Sequence, residues 1–296
     1  MSDYILSEKN DVSYDYSAEK EIVCLEFDSA EDYIEACLTN DVFKITDKDW
    51  TYGSVKTREQ LVENLTIGKS SKKVRDFFEK YREEVEQQLD ITSYLGQGLS
   101  SKRVRRCSDD GDELNIDKVM VNRDDYWDKM VRDNKRRNVR IGINFSLAHF
   151  NDEMEFARLG ATASVLADIL TRMGNAVEIH ATYCCQYEGS LPGVREFVVL
   201  FPVKRSHEVL DLQRVMSIAT NGILRDLLFQ IKRGVFGFDH GMGYQKEMSE
   251  DAKERANVFY VVEQKDTKSV DATVDTLDRE IRKLAETMEY SQGHYK

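Results

Sequence analysis

One stretch, residues 139–182, constrains the fold more than any other part of the sequence. It contains an apolar segment at 139–146, a long run of helix-periodic apolar residues at 156–173, a turn at Gly174, and a second apolar segment at 176–182. This order predicts a strand, a helix, a turn and another strand. A helix that connects two neighbouring strands is typical of a βαβ unit with parallel strands.

The segments that follow extend this pattern. Residues 195–203 are apolar almost without interruption, which predicts a strand covered on both faces. We therefore predict an α/β fold with a mostly parallel central sheet flanked by helices. The predicted central strands are 140–145, 177–182 and 197–201, a further strand is predicted at 257–262, and helices are predicted at 156–173, 211–229 and 273–288. The first of these helices is predicted to bury Leu159, Val165, Leu166, Ile169 and Leu170 against the sheet.

The sequence before residue 138 has a different character. It predicts a short strand at 21–27, a helix capped by Ser29, and helices at 57–65 and 70–89. Residues 91–137 are predicted to be irregular, with a short helix around Trp127. We therefore predict two parts, an α-rich N-terminal region at 1–137 and an α/β domain at 138–296.

Composition limits the classes of function. The net charge is −12, so most of the surface repels nucleic acid, although a local basic groove remains compatible with this charge. The five cysteines match no zinc spacing, which predicts a reduced protein without structural disulfides. The first twenty residues are polar, and no run of eighteen apolar residues occurs, so we expect neither a signal peptide nor a membrane span. A cytoplasmic location is the corresponding expectation.

The central unit resembles the opening of a von Willebrand factor A domain. The resemblance lies in Asn144-Phe145-Ser146 after the first strand, in the helix segment 158–163, and in the turn at Gly174. The chain resembles more closely a family of uncharacterised bacteriophage proteins, which pair a helical N-terminal region with a degenerate domain of this type. Trp50-Thr51-Tyr52-Gly53 and Gly241-Met242-Gly243-Tyr244 also carry this resemblance. It implies a phage protein located in the host cytoplasm.

The resemblance also bears on metal binding. Metal-binding members of this class have Asp-x-Ser-x-Ser after the first strand, whereas this chain has Asn144 in place of the carboxylate and Ala148 in place of the second hydroxyl. Magnesium prefers hard oxygen ligands that usually include a carboxylate. We therefore predict a degenerate site with no metal and no cofactor.

The loops at the carboxyl ends of the strands are the predicted binding site, because an open α/β sheet gathers distant residues there. The candidate residues are Asn144, Ser146, His149, Thr220 and Asn221. His149 adds a charge that depends on pH. The alternative is that these polar residues only cap the following helix, and the sequence does not decide between the two.

Two basic segments give a second candidate site. They contain Lys102, Arg103, Arg105 and Arg106, and then Lys135, Arg136 and Arg137. With nearby aromatic residues they form a possible strip for nucleic acid, especially single-stranded DNA. An acidic run at 109–113 follows the first segment directly, which favours instead a self-neutralising surface loop.

The leading functional hypothesis is a non-enzymatic binding or assembly module with a protein partner. The first alternative is a nucleic-acid-binding accessory factor in replication or transcription, and a hydrolase is third. The sequence contains no phosphate-binding glycine loop and no G-x-S-x-G element, so no catalytic residues are proposed.

Overall fold

The computed structural model describes residues 21–38, 72–91, 93–94, 103–108, 113–114, 116–120, 127–132, 137–146, 153–186, 194–220, 244–245 and 247–293. The elements in chain order are β1 (Glu21–Glu26), α1 (Ala30–Leu38), α2 (Lys72–Gln88), β2 (Arg103–Ser108), β3 (Glu113–Leu114), α3 (Ile116–Met120), β4 (Trp127–Arg132), β5 (Asn138–Asn144), α4 (Glu153–Arg172), β6 (Ala176–Gln186), β7 (Val194–Lys204), α5 (Leu212–Thr220), β8 (Tyr244–Gln245), α6 (Glu250–Arg255), β9 (Tyr260–Val262), a 3-10 helix (Gln264–Thr267) and α7 (Val270–Gly293).

The main sheet is mixed. Its strands lie in the order β1-β7-β6-β5-β9, and β8 pairs with the end of β6. The strand β5 is parallel to both of its neighbours, β6 and β9, and β1 is parallel to β7. The strand β6 is antiparallel to β7 and to β8. With helices packed on this sheet, the chain has the α/β class predicted from the sequence.

The unit formed by β5, α4 and β6 confirms the prediction for the centre of the chain. The two strands are parallel, with Arg140 opposite Glu178. All five residues predicted to be buried on α4 are buried. The helix ends at Gly174, whose φ of 91° lies in the left-handed region that favours glycine. Asn175 then closes the turn, because its backbone N–H and its side-chain amide both donate to the carbonyl of Leu170 at 3.0 Å.

The predicted direction of β7 was wrong. It was expected to continue a parallel arrangement, but residues 197–201 run antiparallel to β6. Only residues 187–193 connect the two strands. A parallel neighbour requires a crossover of about a dozen residues or more, whereas a short connection joins antiparallel strands. The length of this connection therefore determines the direction of β7.

The sheet is covered on both faces. The larger hydrophobic core lies on the face that packs against α4, and α1, α2, α5 and α7 contribute to it. A smaller core on the opposite face is closed by α6. The strand β7 contributes to both, since Phe197 and Val199 belong to the larger core and Val198 and Leu200 to the smaller. This arrangement explains the nearly continuous apolar sequence of the strand.

Segments of the predicted N-terminal region pack into the same core. Ser29 caps α1 as predicted, because its hydroxyl accepts the backbone N–H of Asp32 at 3.0 Å. Tyr33 on α1 stacks on Phe201 of β7, and β1 is a strand of the main sheet. The division at residue 137 stays a prediction, and the helix predicted at 57–65 lies outside the described residues.

A second sheet occupies part of the segment predicted to be irregular. Its order is β2-β4-β3, and both pairings are antiparallel. The expected loop around Arg103 and the expected helix around Trp127 were therefore wrong. High charge suggested a loop, but ladder formation uses backbone groups, and strand preference depends strongly on context. Val104 and Val131 occupy opposite positions in this ladder, as β-branched residues often do.

The helices α5 and α7 and the strand β9 lie where they were predicted, but their first or last residues differ from the predicted ones. The helix α5 covers the first part of the predicted 211–229 segment, and residues 221–229 lie outside the described residues. The strand predicted at 257–262 is shorter, since it begins at Tyr260. Asn257 has a φ of 51°, so the chain turns there between α6 and β9. The helix α7 is longer than predicted at both ends.

Candidate binding site at the carboxyl ends of the strands

A cavity of about 1000 Å³ lies at the carboxyl ends of β5 and β9. These strands are parallel, so their following segments meet at one edge of the sheet. Side chains from β5, α4, α6 and the 3-10 helix converge on the cavity. The lining residues are Asn144, Ser146, Glu155, Arg158, Glu247, Met248, Ser249, Glu250, Lys253, Glu263, Gln264, Lys265, Thr267 and Lys268.

Two of the predicted binding residues, Asn144 and Ser146, line this cavity. Thr220 is the last residue of α5. His149 and Asn221 lie outside the described residues. Binding of a partner by this set of residues stays a prediction.

Asn144 and Ser146 also join the ends of two strands. The side-chain carbonyl of Asn144 accepts the backbone N–H of Ser146 at 3.0 Å, and the Ser146 hydroxyl accepts the backbone N–H of Cys184 at 2.6 Å. Both residues are 6% exposed. The hydroxyl therefore holds the end of β5 against β6, a role that the sequence did not reveal because it depends on a strand partner 38 residues away.

Replacing Ser146 by alanine is expected to lower the free energy of unfolding by about 1–3 kcal/mol. The substitution leaves the buried N–H of Cys184 without its acceptor, and this is the usual cost of such a group. Urea denaturation of the parent and of Ser146→Ala measures this difference, and the m-value should be the same for both proteins. A change below about 0.5 kcal/mol, the range of ordinary surface substitutions, would show that the hydrogen bond contributes little.

In one wall of the cavity, acidic and basic side chains neutralise each other. Glu263 is 3% exposed; its carboxylate accepts the backbone N–H of Met248 at 2.9 Å and lies 3.0 Å from the Lys265 ammonium. Burial raises the pKa of Glu263 above its usual value. Burial alone would lower the pKa of Lys265, but hydrogen bonds from Lys265 to Glu247 and Glu263 raise it. Lys265 therefore forms ion pairs with two carboxylates of the cavity wall.

Two cations of the lining have no such partner. Within the described part of the chain, neither Arg158 nor Lys268 forms an ion pair, whereas Lys253 pairs with Glu250 at 2.8 Å. The Nε of Arg158 is buried and has no hydrogen-bond partner. Its guanidinium lies over the ring of Phe77 on α2, 5.6 Å from the centroid. The sequence alone does not identify either cation as a site residue, because only the fold brings their elements together.

The sequence predicts that no metal ion binds at the carboxyl end of β5, where Asn144 lies. Among the residues that the structure describes, no group of three or more His, Cys, Asp or Glu side chains is arranged to hold a metal ion. Ala148 lies outside those residues. We expect thermal melts in chelator and in excess magnesium to coincide, since an ion that bound only the native state would raise its stability. An increase of several degrees in magnesium would reveal a site.

The basic segments are only partly described. Arg103, Arg105 and Arg106 lie on β2, and the register places Arg103 opposite Arg132 and Arg106 opposite Lys129 of β4. Basic residues therefore occupy paired positions along a two-stranded ribbon. Arg137 precedes β5 and its carbonyl accepts the N–H of Ala176 at 2.9 Å. Lys102, Lys135 and Arg136 lie outside the described residues.

A further titratable cluster lies on the face of the sheet that α6 covers. The Arg140 guanidinium contacts Glu26 at 2.9 Å and Glu178 at 3.5 Å, and the same Glu178 carboxylate is 3.4 Å from Nε2 of His180. His180 is 3% exposed, and its Nδ1 has no hydrogen-bond partner. Burial and the nearby Arg140 lower the pKa of His180 to about 4, against the opposing effect of Glu178.

This cluster predicts a loss of stability in mild acid. The ordinary pKa of histidine is 6.5, so between about pH 6.5 and 4 the unfolded chain binds more protons at His180 than the folded chain. The stability is therefore fully present above pH 6.5 and falls as the pH decreases toward 4, by a loss on the order of 2 kcal/mol. Urea denaturation at several pH values measures this slope. The slope should decrease in His180→Gln and persist in His207→Gln, which alters an exposed histidine.

Comparisons with other proteins complete these observations. Residues 9–287 match a protein family described as Domain of unknown function (DUF7192). Neither the curated proteins nor the solved structures gave a match. None of the helices in the described ranges has both the length and the apolar character needed to cross a membrane.

Proposed function

The chain belongs to the DUF7192 family, and we propose that it is a non-enzymatic binding or assembly module with a protein partner. The partner engages the cavity at the carboxyl ends of β5 and β9. The observation that carries this proposal is an open, mainly polar cavity of about 1000 Å³ whose lining includes two cations without an ion pair among the described residues. Cavities of this size with converging polar groups are typical ligand sites.

The way in which the cavity is assembled supports a binding role. Asn144 and Ser146 follow β5, Arg158 comes from α4, and Lys268 follows the 3-10 helix. Internal hydrogen bonds hold Ser146 and Glu263 in fixed positions before any partner arrives. A site that is formed in advance loses less conformational entropy on binding.

A von Willebrand factor A-like fold with a degenerate metal site is part of the same proposal. The parallel unit of β5, α4 and β6 supports it, together with Asn144 at the end of β5 where the metal-binding pattern has a carboxylate. A bacteriophage origin and action in the host cytoplasm follow from the sequence resemblance alone, and they are proposed on that basis.

The test is site-specific photo-crosslinking in native cells. A photoreactive residue replaces Glu247, which is exposed at the cavity, and Lys265 keeps Glu263 as its partner in this variant. The control position is His207, which is also exposed and follows the carboxyl end of β7, at the opposite end of the sheet from the cavity. We expect one protein to be crosslinked from position 247 and not from position 207. Crosslinking of that protein from position 207 alone would refute the proposed site.

Nucleic-acid binding is the second candidate, and the register of the second sheet favours it. Arg103 lies opposite Arg132, and Arg105 is two positions further along β2, so these three basic positions belong to the same face of the sheet. Such positions suit contacts with the phosphate backbone. A gel shift with single- and double-stranded DNA at low and moderate salt tests this function. Salt-sensitive binding that is weakened by Arg103→Glu, but not by Arg172→Glu on α4, would favour it over the protein-binding proposal.

A further inference from the structure

The charges that line the cavity indicate the chemistry of the partner. We infer that the cavity binds a carboxylate of a partner protein, an Asp or Glu side chain, through Arg158 and Lys268. This inference rests on the proposed binding function and specifies which group of the partner enters the site.

The first argument is the pairing of charges within the lining. The lysines Lys253 and Lys265 are neutralised by carboxylates of the cavity wall. Glu155 accepts the side-chain amide of Gln264 at 2.6 Å. The carboxylates therefore all have hydrogen-bond donors, whereas the two remaining cations lack an anionic partner among the described residues. An incoming anion would complete this set.

The second argument is the state of Arg158. Its guanidinium packs over Phe77, and its buried Nε has no acceptor. An unpaired buried donor is costly, and an arginine has a planar fork of donors that suits a carboxylate in two parallel hydrogen bonds. The ring beneath the guanidinium restricts its motion, so less entropy is lost when the fork is occupied.

The overall charge of the lining favours a carboxylate over a phosphate. Four carboxylates, Glu155, Glu247, Glu250 and Glu263, line the cavity together with four cations, so the lining as a whole has no net charge. Removing an ion from water costs more as its charge increases, and a lining without net positive charge does not offset the second charge of a phosphate dianion. The cavity is much larger than one carboxylate, so the rest of its volume accommodates the polypeptide that carries the acidic side chain.

The probe for this inference is butyrate, a monocarboxylate that matches the end of a glutamate side chain and carries a single charge. We expect weak but saturable binding by isothermal titration at low ionic strength, and a loss of about tenfold or more in affinity for Arg158→Gln. The matched control is Arg172→Gln, which makes the same change at the far end of the same helix, where Arg172 pairs with Asp168. Lys268→Gln should also weaken binding, because it removes the second cation without an ion pair.

Several results would overturn the inference. These are no butyrate binding by the parent protein, equal binding by the parent and by Arg158→Gln, or tighter binding of inorganic phosphate than of butyrate. If Arg158→Gln fails to fold because the packing on Phe77 is lost, Arg158→Lys keeps the charge but not the fork and is expected to bind more weakly than the parent. Equal affinity in Arg158→Lys would refute the role of the fork. Crosslinking from position 247 tests the binding function separately, since both Arg158 and Lys268 are retained in that variant.

Discussion

Replacing Leu166 by alanine is expected to lower the free energy of unfolding by about 2–5 kcal/mol. Leu166 lies on α4 and is fully buried in the larger core. The helix packs against β5, β6, α2 and α5, so the space left by the lost side chain is surrounded by several elements that cannot all move inward. The cost therefore contains both the lost transfer free energy and a cavity term.

Urea denaturation of the parent and of Leu166→Ala is the measurement. The control is Val209→Ala, because Val209 is 89% exposed and should change the stability by no more than about 0.5 kcal/mol. A change of similar size in the two variants would mean that α4 does not bury this face against the sheet. The fold around the candidate site would then need to be revised.

Local periodicity predicted the unit around α4 because its signal lies within one continuous stretch. The buried positions Leu159 and Leu170 follow from helical spacing, and the turn at Gly174 follows from the preference of glycine for positive φ. The direction of β7 follows from the short connection of seven residues at 187–193, whereas the apolar content of the strand does not distinguish a parallel from an antiparallel neighbour.

The second sheet could not be predicted from charge and periodicity. Its strands β2 and β4 are rich in basic residues, and the alternation typical of a half-buried strand is weak in Arg103–Ser108. Pairing with Trp127–Arg132 stabilises these strands through backbone hydrogen bonds, and those bonds leave no pattern in either segment alone.

The sequence indicated where in the fold the candidate site lies, but it did not indicate most of the residues that line it. The end of a parallel strand indicated Asn144 and Ser146, which line the cavity. Arg158 lies far in the sequence from Glu263 and Lys268, and these residues line one cavity only because α4 and the end of β9 meet in the fold. Electrostatic complementarity of this kind becomes visible only after the fold is known.

Replacing Glu196 by alanine is the second large effect that we expect, a loss of roughly 2–4 kcal/mol. Glu196 lies on β7 and is fully buried. Its carboxylate accepts the backbone N–H of Ser249 at 3.0 Å, the hydroxyl of the same residue, and the thiol of Cys184 at 2.9 Å. Ser249 caps α6 by accepting the N–H of Ala252, so this carboxylate joins the cap of α6 to the sheet.

Alanine would leave the N–H and hydroxyl of Ser249 without their acceptor at the edge of the cavity, since Ser249 is one of its lining residues. Glu196→Gln should cost less than half as much, because the amide keeps one acceptor and donates to the Ser249 hydroxyl. Glu254→Ala, an exposed position on α6, is the matched control and should be nearly neutral. Urea denaturation gives all three values. If Glu196→Ala and Glu196→Gln lower the free energy of unfolding equally, the charge of Glu196 rather than its hydrogen bonds holds α6 in place. If neither substitution has an effect, this residue does not hold α6. The wall of the cavity that contains Met248 and Lys253 must then be stabilised by other contacts.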